Sequence, residues 1–209
     1  MALLSFAAAA SLRTGMASAQ QSSEGKPGAG AGMSTLVDED LLHDAASPIL
    51  GNPQGDVTMV EFFDYRCPYC KMMAPRVAAL VAGDHGLRLV MKEYPVLSRE
   101  SIVAAKVALV AARHGVYAPF HAAMYALTGP FDEARIMQVA QSVGLTPDVA
   151  RKEMNDPTIA AELRRNLALG DIIGVKGTPA FIVGNQIVPG AVTIEVLQNL
   201  IATERKAKD

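Results

Sequence analysis

Cysteine is scarce in this chain, with two among 209 residues. Two cysteines close at most one bridge, so the fold is not a disulfide-stapled scaffold. They are also too few for a four-cysteine zinc site. A chain of this length buries roughly 70% of its unfolded surface and needs no staple. It reads as one domain, or one domain with an insertion. Tryptophan is absent and aromatic residues make up 5%, which argues against a stacking platform for single-stranded nucleic acid. Neither sign of charge is in excess, with 19 basic against 21 acidic residues and a net charge of −2. A nucleic-acid footprint is strongly basic, so no nucleic-acid partner is expected. No stretch approaches the run of about 18 uncharged apolar residues that a membrane-spanning helix requires.

The N-terminus carries the one conspicuous apolar run. Ala2 to Leu12 is followed by small residues ending in Ala17-Ser18-Ala19, the A-x-A pattern of a signal-peptidase site. Residues 1–19 therefore read as a signal peptide, with a soluble, periplasmic product. No Lys or Arg precedes the run, and Arg13 follows it. Residues 20–47 read as a flexible leader, rich in Gly, Ser, Ala and Gln at first. Within it, Thr35 to Ala46 can form a short helix. Ser47 to Gly55 is turn-rich and closes the preamble.

From there regular elements alternate. Asp56 to Tyr65 is β-branched and aromatic and predicts a strand, as does Leu87 to Glu93. Between them Pro68 to Ala82 has helical periodicity, with Pro75 expected to kink it. Some 75 residues of helix follow, about residues 98–174: Ser98 to Arg113, Tyr117 to Leu127, Phe131 to Val143, and two helices opening at Thr146-Pro147 and Asp156-Pro157. Ala180 to Val183 and Gln186 to Val188 form a hairpin around Gly184-Asn185, and Thr193 to Lys206 is a closing helix. Without the helical middle the order is β-α-β…β-β-α. This is an α/β thioredoxin fold with a mixed central sheet, spanning residues 48–209 and interrupted by the helical insertion.

Both cysteines lie in Cys67-Pro68-Tyr69-Cys70, directly after the first strand and at a helix start. Three residues is about one helical turn, so both thiols point the same way. Pro68 suits the first turn, where its missing N–H costs nothing. Unpaired N–H groups and the helix dipole favour an anion at Cys67 and lower a thiol's pKa there. Cys67 is expected to be the exposed nucleophile and Cys70, one turn in, the resolving thiol; together they form a redox-active disulfide. His43, His85, His114 and His121 show no close ligand spacing, so neither a metal nor another cofactor is expected.

Two further features converge on the pair. Glu61 shares an alternating row with Val57, Met59 and Phe63, which places a carboxylate in an apolar row. Burial there raises its pKa and makes it a proton relay for the resolving thiol; the alternative is an edge-facing glutamate in solvent. Gly177-Thr178-Pro179 precedes the third strand. A cis bond at Thr178–Pro179 would set a tight bend beside the cysteines, with backbone free to pair with an extended substrate.

The segment Glu61 to Lys71, EFFDYRCPYCK, resembles the active-site strand and helix of the DsbA-type thiol-disulfide oxidoreductases, and Gly177-Thr178-Pro179-Ala180-Phe181 resembles their cis-proline loop. The resemblance covers about residues 48–206. It implies that Cys67 attacks, Cys70 resolves, Glu61 is the buried acid and Pro179 is cis. Pro68, Tyr69, Thr178 and Pro179 would border the substrate. Pro68-Tyr69 replaces the Pro-His of the strongly oxidising members, and threonine before the cis-proline is common in isomerase-type relatives. Val90 to Pro95 is similar to relatives linked to copper tolerance, some of which oligomerise through an N-terminal extension.

The expected function is an exported oxidoreductase that introduces disulfides into unfolded or reduced exported proteins. By family analogy a DsbB-like membrane oxidase would reoxidise it. One rival is an oligomeric isomerase or reductase of the copper-tolerance type, kept reduced by a DsbD-like donor. Another is a non-catalytic chaperone or Cu(I)-binding module, since two thiolates in C-x-x-C can hold Cu(I).

Overall fold

The computed structural model describes Met1 and residues 38–208. The signal peptide expected over residues 1–19 and the leader up to residue 37 lie outside the described residues, Met1 apart. Five strands form one mixed sheet in the order β1-β3-β2-β4-β5. They are β1 Ile49–Gly51, β2 Val57–Phe63, β3 Leu87–Glu93, β4 Ala180–Val183 and β5 Gln186–Pro189. Helix α1, Pro68–Gly83, joins β2 to β3. These two strands are parallel, with Met59 opposite Leu89 and Glu61 opposite Met91. β4 pairs antiparallel with β2, and β5 antiparallel with β4. α1 runs on through Pro75 as a single helix of 16 residues.

The helical insertion comprises α2 Arg99–Arg113, α3 Tyr117–Ala126, α4 Glu133–Ser142, α5 Pro147–Glu153 and α6 Pro157–Ile173; α7, Ile194–Lys208, closes the chain. Polar side chains fix several starts. Ser98 accepts the Ser101 N–H at 3.1 Å, and Asp156 accepts that of Thr158 at 2.8 Å, satisfying donors the helix cannot. Asp132 does the same for Arg135 at 2.9 Å, so α4 begins at Glu133 rather than at Phe131 as expected.

Period two divides the sheet into two apolar faces. One face carries Val57, Met59, Phe63, Leu87, Leu89 and Met91, which pack with residues of α1, α7 and the insertion. The other carries Val60, Phe62, Val90 and Ile182, covered by Leu169 of α6 and by Leu41. At Gly170 of α6 a Cβ would lie 2.5 Å from the Tyr94 ring. The missing side chain is what lets helix and strand end approach.

Two departures from the sequence reading share this second face and its edge. Ile49–Gly51, expected as turn, is an edge strand antiparallel to β3, with Ile49 opposite Val90. Three residues show no alternation to read; the strand forms because β3 offers it a ladder. It ends at Gly51, whose φ of 76° suits glycine and where a Cβ would lie 2.5 Å from the Leu87 carbonyl. Residues 39–47, expected as leader, are docked, with a single π-helical turn at Glu39–His43; of the helix expected over Thr35 to Ala46, residues 35–37 lie outside the described residues. The anchor is Lys92, fully buried in the row of Val90. Its ammonium donates to the Asp40 carbonyl at 2.5 Å and to Ser47 Oγ at 2.7 Å. The Asp44 carboxylate lies 3.7 Å away, and Arg165 pairs with Asp44 and Glu162. A buried ammonium needs such partners to stay charged.

Candidate active site

β2 delivers the chain to the site. After Phe63, Asp64 turns it, and the Asp64 carbonyl accepts the Cys67 N–H at 3.0 Å. Cys67 is extended, with φ −73° and ψ 121°, and is the N-cap of α1. Its carbonyl takes the first helical bond, from Lys71 N–H at 3.0 Å, and Pro68 occupies the first helical turn. Cys70 follows one turn later. Both thiols are free.

Cys67 is not the exposed residue that the sequence reading expects: 4% of its surface is accessible. The reason is the loop before β4. The Thr178–Pro179 bond is cis, and this bend brings the Thr178 carbonyl to 3.2 Å from Cys67 Sγ, where it accepts the thiol hydrogen. Pro179 is buried and Thr178 half-buried. Pro68 is exposed, and Tyr69 is 59% exposed at the rim. An incoming sulfur must therefore displace or share the Thr178 contact.

Cys70 is fully buried. Burial pushes its thiol up, and the nearby Glu61 charge adds to this; hydrogen bonding from the Asp64 backbone opposes it. Glu61 sits in mid-sheet between Met91 of β3 and Phe181 of β4 and is 3% exposed, so it is not an edge residue. Burial raises its carboxyl to about 8. It lines the floor of an apolar cleft of about 590 Å³, walled by Ala74 and Ala78 of α1, Met91 of β3, and Ala122 and Tyr125 of α3. A buried thiol and a buried carboxyl, both reluctant to ionise, thus lie within each other's field.

A further buried acid was not predicted from sequence. Glu93 at the end of β3 is 1% exposed. Its Oε1 accepts from Tyr117 Oη at 3.1 Å and from Tyr65 Oη at 3.3 Å. His121 Nδ1 lies 3.1 Å from the same Tyr65 oxygen. A phenol has one proton, so when Tyr65 donates to Glu93, His121 must donate to Tyr65. Burial raises the Glu93 carboxyl well above its ordinary range, against the two tyrosine bonds. Burial lowers His121 to about 4. The row Leu87, Leu89, Met91, Glu93 repeats the pattern that singled out Glu61, and the same argument applied to β3 finds Glu93.

The site can thus perform sulfur exchange at one nearly covered thiol, with a buried partner thiol and an acid beside it. Comparison with known proteins agrees. The family described as DSBA-like thioredoxin domain matches residues 58–202. Among solved structures the chain is similar to a thioredoxin-like oxidoreductase from Silicibacter pomeroyi DSS-3, with 40% identity and a TM-score of 0.78 over 80% of this chain and 97% of that one. A periplasmic thioredoxin-like protein from Salmonella enterica serovar Typhimurium gives 30% and 0.76, over 82% and 97%. The thiol-disulfide exchange protein alpha-DsbA2 from Wolbachia pipientis gives 26% and 0.73, over 85% and 99%. Among curated proteins, 163 residues are 29% identical to Na(+)/H(+) antiporter NhaA 3 of Salinispora tropica, covering 77% of this chain and 24% of that protein. The chain spans about a quarter of the length of the curated relatives it matches. Among the described residues no helix is long and apolar enough to cross a membrane. Fold, site and a match over most of the chain agree: it belongs to the DSBA-like thioredoxin domain family, a domain of the thiol-disulfide oxidoreductase type.

Proposed function

We propose that the protein is an exported, periplasmic dithiol oxidase that introduces disulfides into reduced, unfolded exported proteins. The observation that carries this reading is Cys67 at the α1 N-cap, its sulfur 3.2 Å from the carbonyl before the cis-proline. A substrate thiolate attacks Cys67 Sγ of the Cys67–Cys70 disulfide. The S–S bond breaks and Cys70 leaves as a thiolate. Cys70 is buried and hard to ionise, so it takes a proton, and Glu61 is the nearby acid that supplies it. The second substrate thiolate then attacks the substrate sulfur of the mixed disulfide and expels Cys67 as a thiolate. Two electrons pass from substrate to enzyme, and a membrane redox partner of the DsbB-like kind removes them.

Export is supported by the Ala17-Ser18-Ala19 site in the sequence and by similarity to a protein described as periplasmic. Pro68, Tyr69, Thr178 and Pro179 border Cys67 and contact the substrate chain. The test is oxidation of a reduced, unfolded protein by the Cys67→Ser variant. Full activity in that variant sinks the proposal; Cys70→Ser, which cannot form the Cys67–Cys70 disulfide, should oxidise nothing either, and should trap a mixed disulfide at Cys67 only when the substrate is supplied as a disulfide. Thiol alkylation in cells reads the direction of electron flow. Mostly oxidised cysteines fit an oxidase; mostly reduced ones would mean the isomerase or reductase with a DsbD-like donor.

A further inference from the structure

Asp64 does more than turn the chain. Its side chain is buried, at 1% exposure, and accepts three backbone N–H groups from two separate segments. Oδ1 takes Arg66 N–H at 2.8 Å, in the turn that leads into Cys67. Oδ2 takes Val96 N–H at 2.9 Å and Leu97 N–H at 3.0 Å, in the loop between β3 and α2. One carboxylate therefore locks the loop 96–97 to the turn that carries the reactive cysteine. A carboxylate is suited to this because it only accepts and offers several lone pairs.

What Asp64 holds there is apolar and uncovered. Val96 is 46% and Leu97 53% exposed. On the first two turns of α1, which Cys67 caps, Tyr69 is 59% and Met72 43% exposed. Single exposed apolar side chains are ordinary, but a group of them around one reactive atom marks a contact surface. The mixed disulfide must form between these flanks, so the occupant is the polypeptide that brings the attacking sulfur. Residues beside its cysteine reach loop 96–97, and a buried leucine side chain there is worth about a tenfold gain in affinity or more.

We propose that Asp64 is a positioning residue that fixes loop 96–97 as an apolar wall beside Cys67, and that this wall receives an apolar side chain flanking the reactive cysteine of an unfolded substrate. The wall selects which thiols are attended to; it takes no part in the sulfur chemistry. The inference rests on the oxidoreductase reading and adds a substrate class to it.

The test uses two synthetic dithiol peptides that differ only in carrying leucine or serine beside the first cysteine. In single turnover with peptide in excess, the oxidised full chain is expected to prefer the leucine peptide about tenfold in second-order rate constant, with the difference in the half-saturating peptide concentration. Val96→Ser with Leu97→Ser, two exposed positions, should erase that preference. Asp64→Asn should erase it as well, because the single amide oxygen can serve either the Arg66 N–H or the Val96 and Leu97 pair, and its NH2 group then faces the other, which breaks the link between turn and loop. Val196→Ser, at an exposed apolar site of α7, is the control and should keep it. No preference in the parent chain, or a preference retained in the double variant, overturns the wall; a preference retained in full in Asp64→Asn overturns the positioning role. Exchange with neither peptide overturns the oxidoreductase reading and the wall with it.

Discussion

Replacing Glu61 by glutamine should change how stability depends on pH, by an amount the structure fixes. A carboxyl ordinarily near 4.5 is held near 8 by burial. Between those values the folded chain keeps a proton that the unfolded chain has lost. Stability from this group is therefore fully present below pH 4.5 and is lost as pH rises to about 8. At about 1.4 kcal/mol per pH unit the whole loss is about 5 kcal/mol, of which about 3 kcal/mol has gone by pH 7. Glutamine keeps the shape and cannot ionise.

The neighbouring imidazole has the opposite sign. His121 is lowered from 6.5 to about 4, so stability tied to it is present above pH 6.5 and is lost as pH falls to 4. Over pH 4.5 to 6.5 the His121 slope opposes that of Glu61, while Glu93, also raised by burial, adds to the Glu61 slope. The assay is reversible urea unfolding of the reduced protein at intervals from pH 4.5 to 8.5, for the parent and Glu61→Gln. The difference between the two isolates Glu61 from all other groups. It should shift in favour of the variant by about 1.4 kcal/mol per pH unit and level off near pH 8. A difference that stays flat across this range would refute the buried, proton-holding carboxyl, and with it the proton relay.

Other perturbations test other parts of the account. His121→Leu should abolish a loss of about 3 kcal/mol that the parent suffers between pH 6.5 and 4, read in the same unfolding series as a flatter acid limb. Lys92→Met leaves Asp44 and Glu162 facing each other without the buried ammonium. It should cost about 3–5 kcal/mol and expose residues 39–47 to limited proteolysis; unchanged protease resistance of that segment would count against Lys92 as its anchor. Gly170→Ala drives a methyl into the Tyr94 ring and should cost about 1–3 kcal/mol. Thermal or urea unfolding should show most of that cost recovered when Tyr94→Leu is added.

The parts of this molecule legible in the sequence are those that local chemistry dictates. β3 and β4 match their expected bounds because a run bounded by turn residues leaves little choice. The helix starts at Pro147 and Pro157 were signalled by a cap residue followed by proline. The pairing of Cys67 with Cys70 at a helix start needed only spacing and position. Three things were hidden because they are tertiary. Strand Ile49–Gly51 exists only as an edge to β3. The docking of residues 39–47 depends on Lys92, whose row on the second face looks ordinary until Asp40, Asp44 and Ser47 close over it. The bend at Thr178–Pro179 was legible as a neighbour of the cysteines, but not that the Thr178 carbonyl, more than a hundred residues away in the chain, comes to 3.2 Å from Cys67 Sγ and helps to cover it. Asp64 belongs with these: in sequence it is one acid among many, and its role appears only when Val96 and Leu97 arrive at its second oxygen.

The protonation of Glu61 also bears on the proposed direction of exchange. With a value near 8, about one tenth of the carboxyl is ionised at pH 7. The protonated majority can give a proton to Cys70 as it leaves, the step that a substrate thiolate needs. The back reaction, attack of Cys70 on the mixed disulfide, needs the ionised minority to take the Cys70 proton first, because burial keeps that thiol neutral. Near neutral pH the mixed disulfide should therefore live long enough for the second substrate thiol to resolve it. Its spontaneous collapse back to the Cys67–Cys70 disulfide should speed up about tenfold per pH unit up to about pH 8 and then level off. Acid quenching of a preformed mixed disulfide between Cys67 and a single-thiol peptide, from pH 6 to 9, follows that collapse directly. A collapse rate that keeps rising with the same slope past pH 8.5 would mean that hydroxide or the bulk buffer, not Glu61, takes the Cys70 proton.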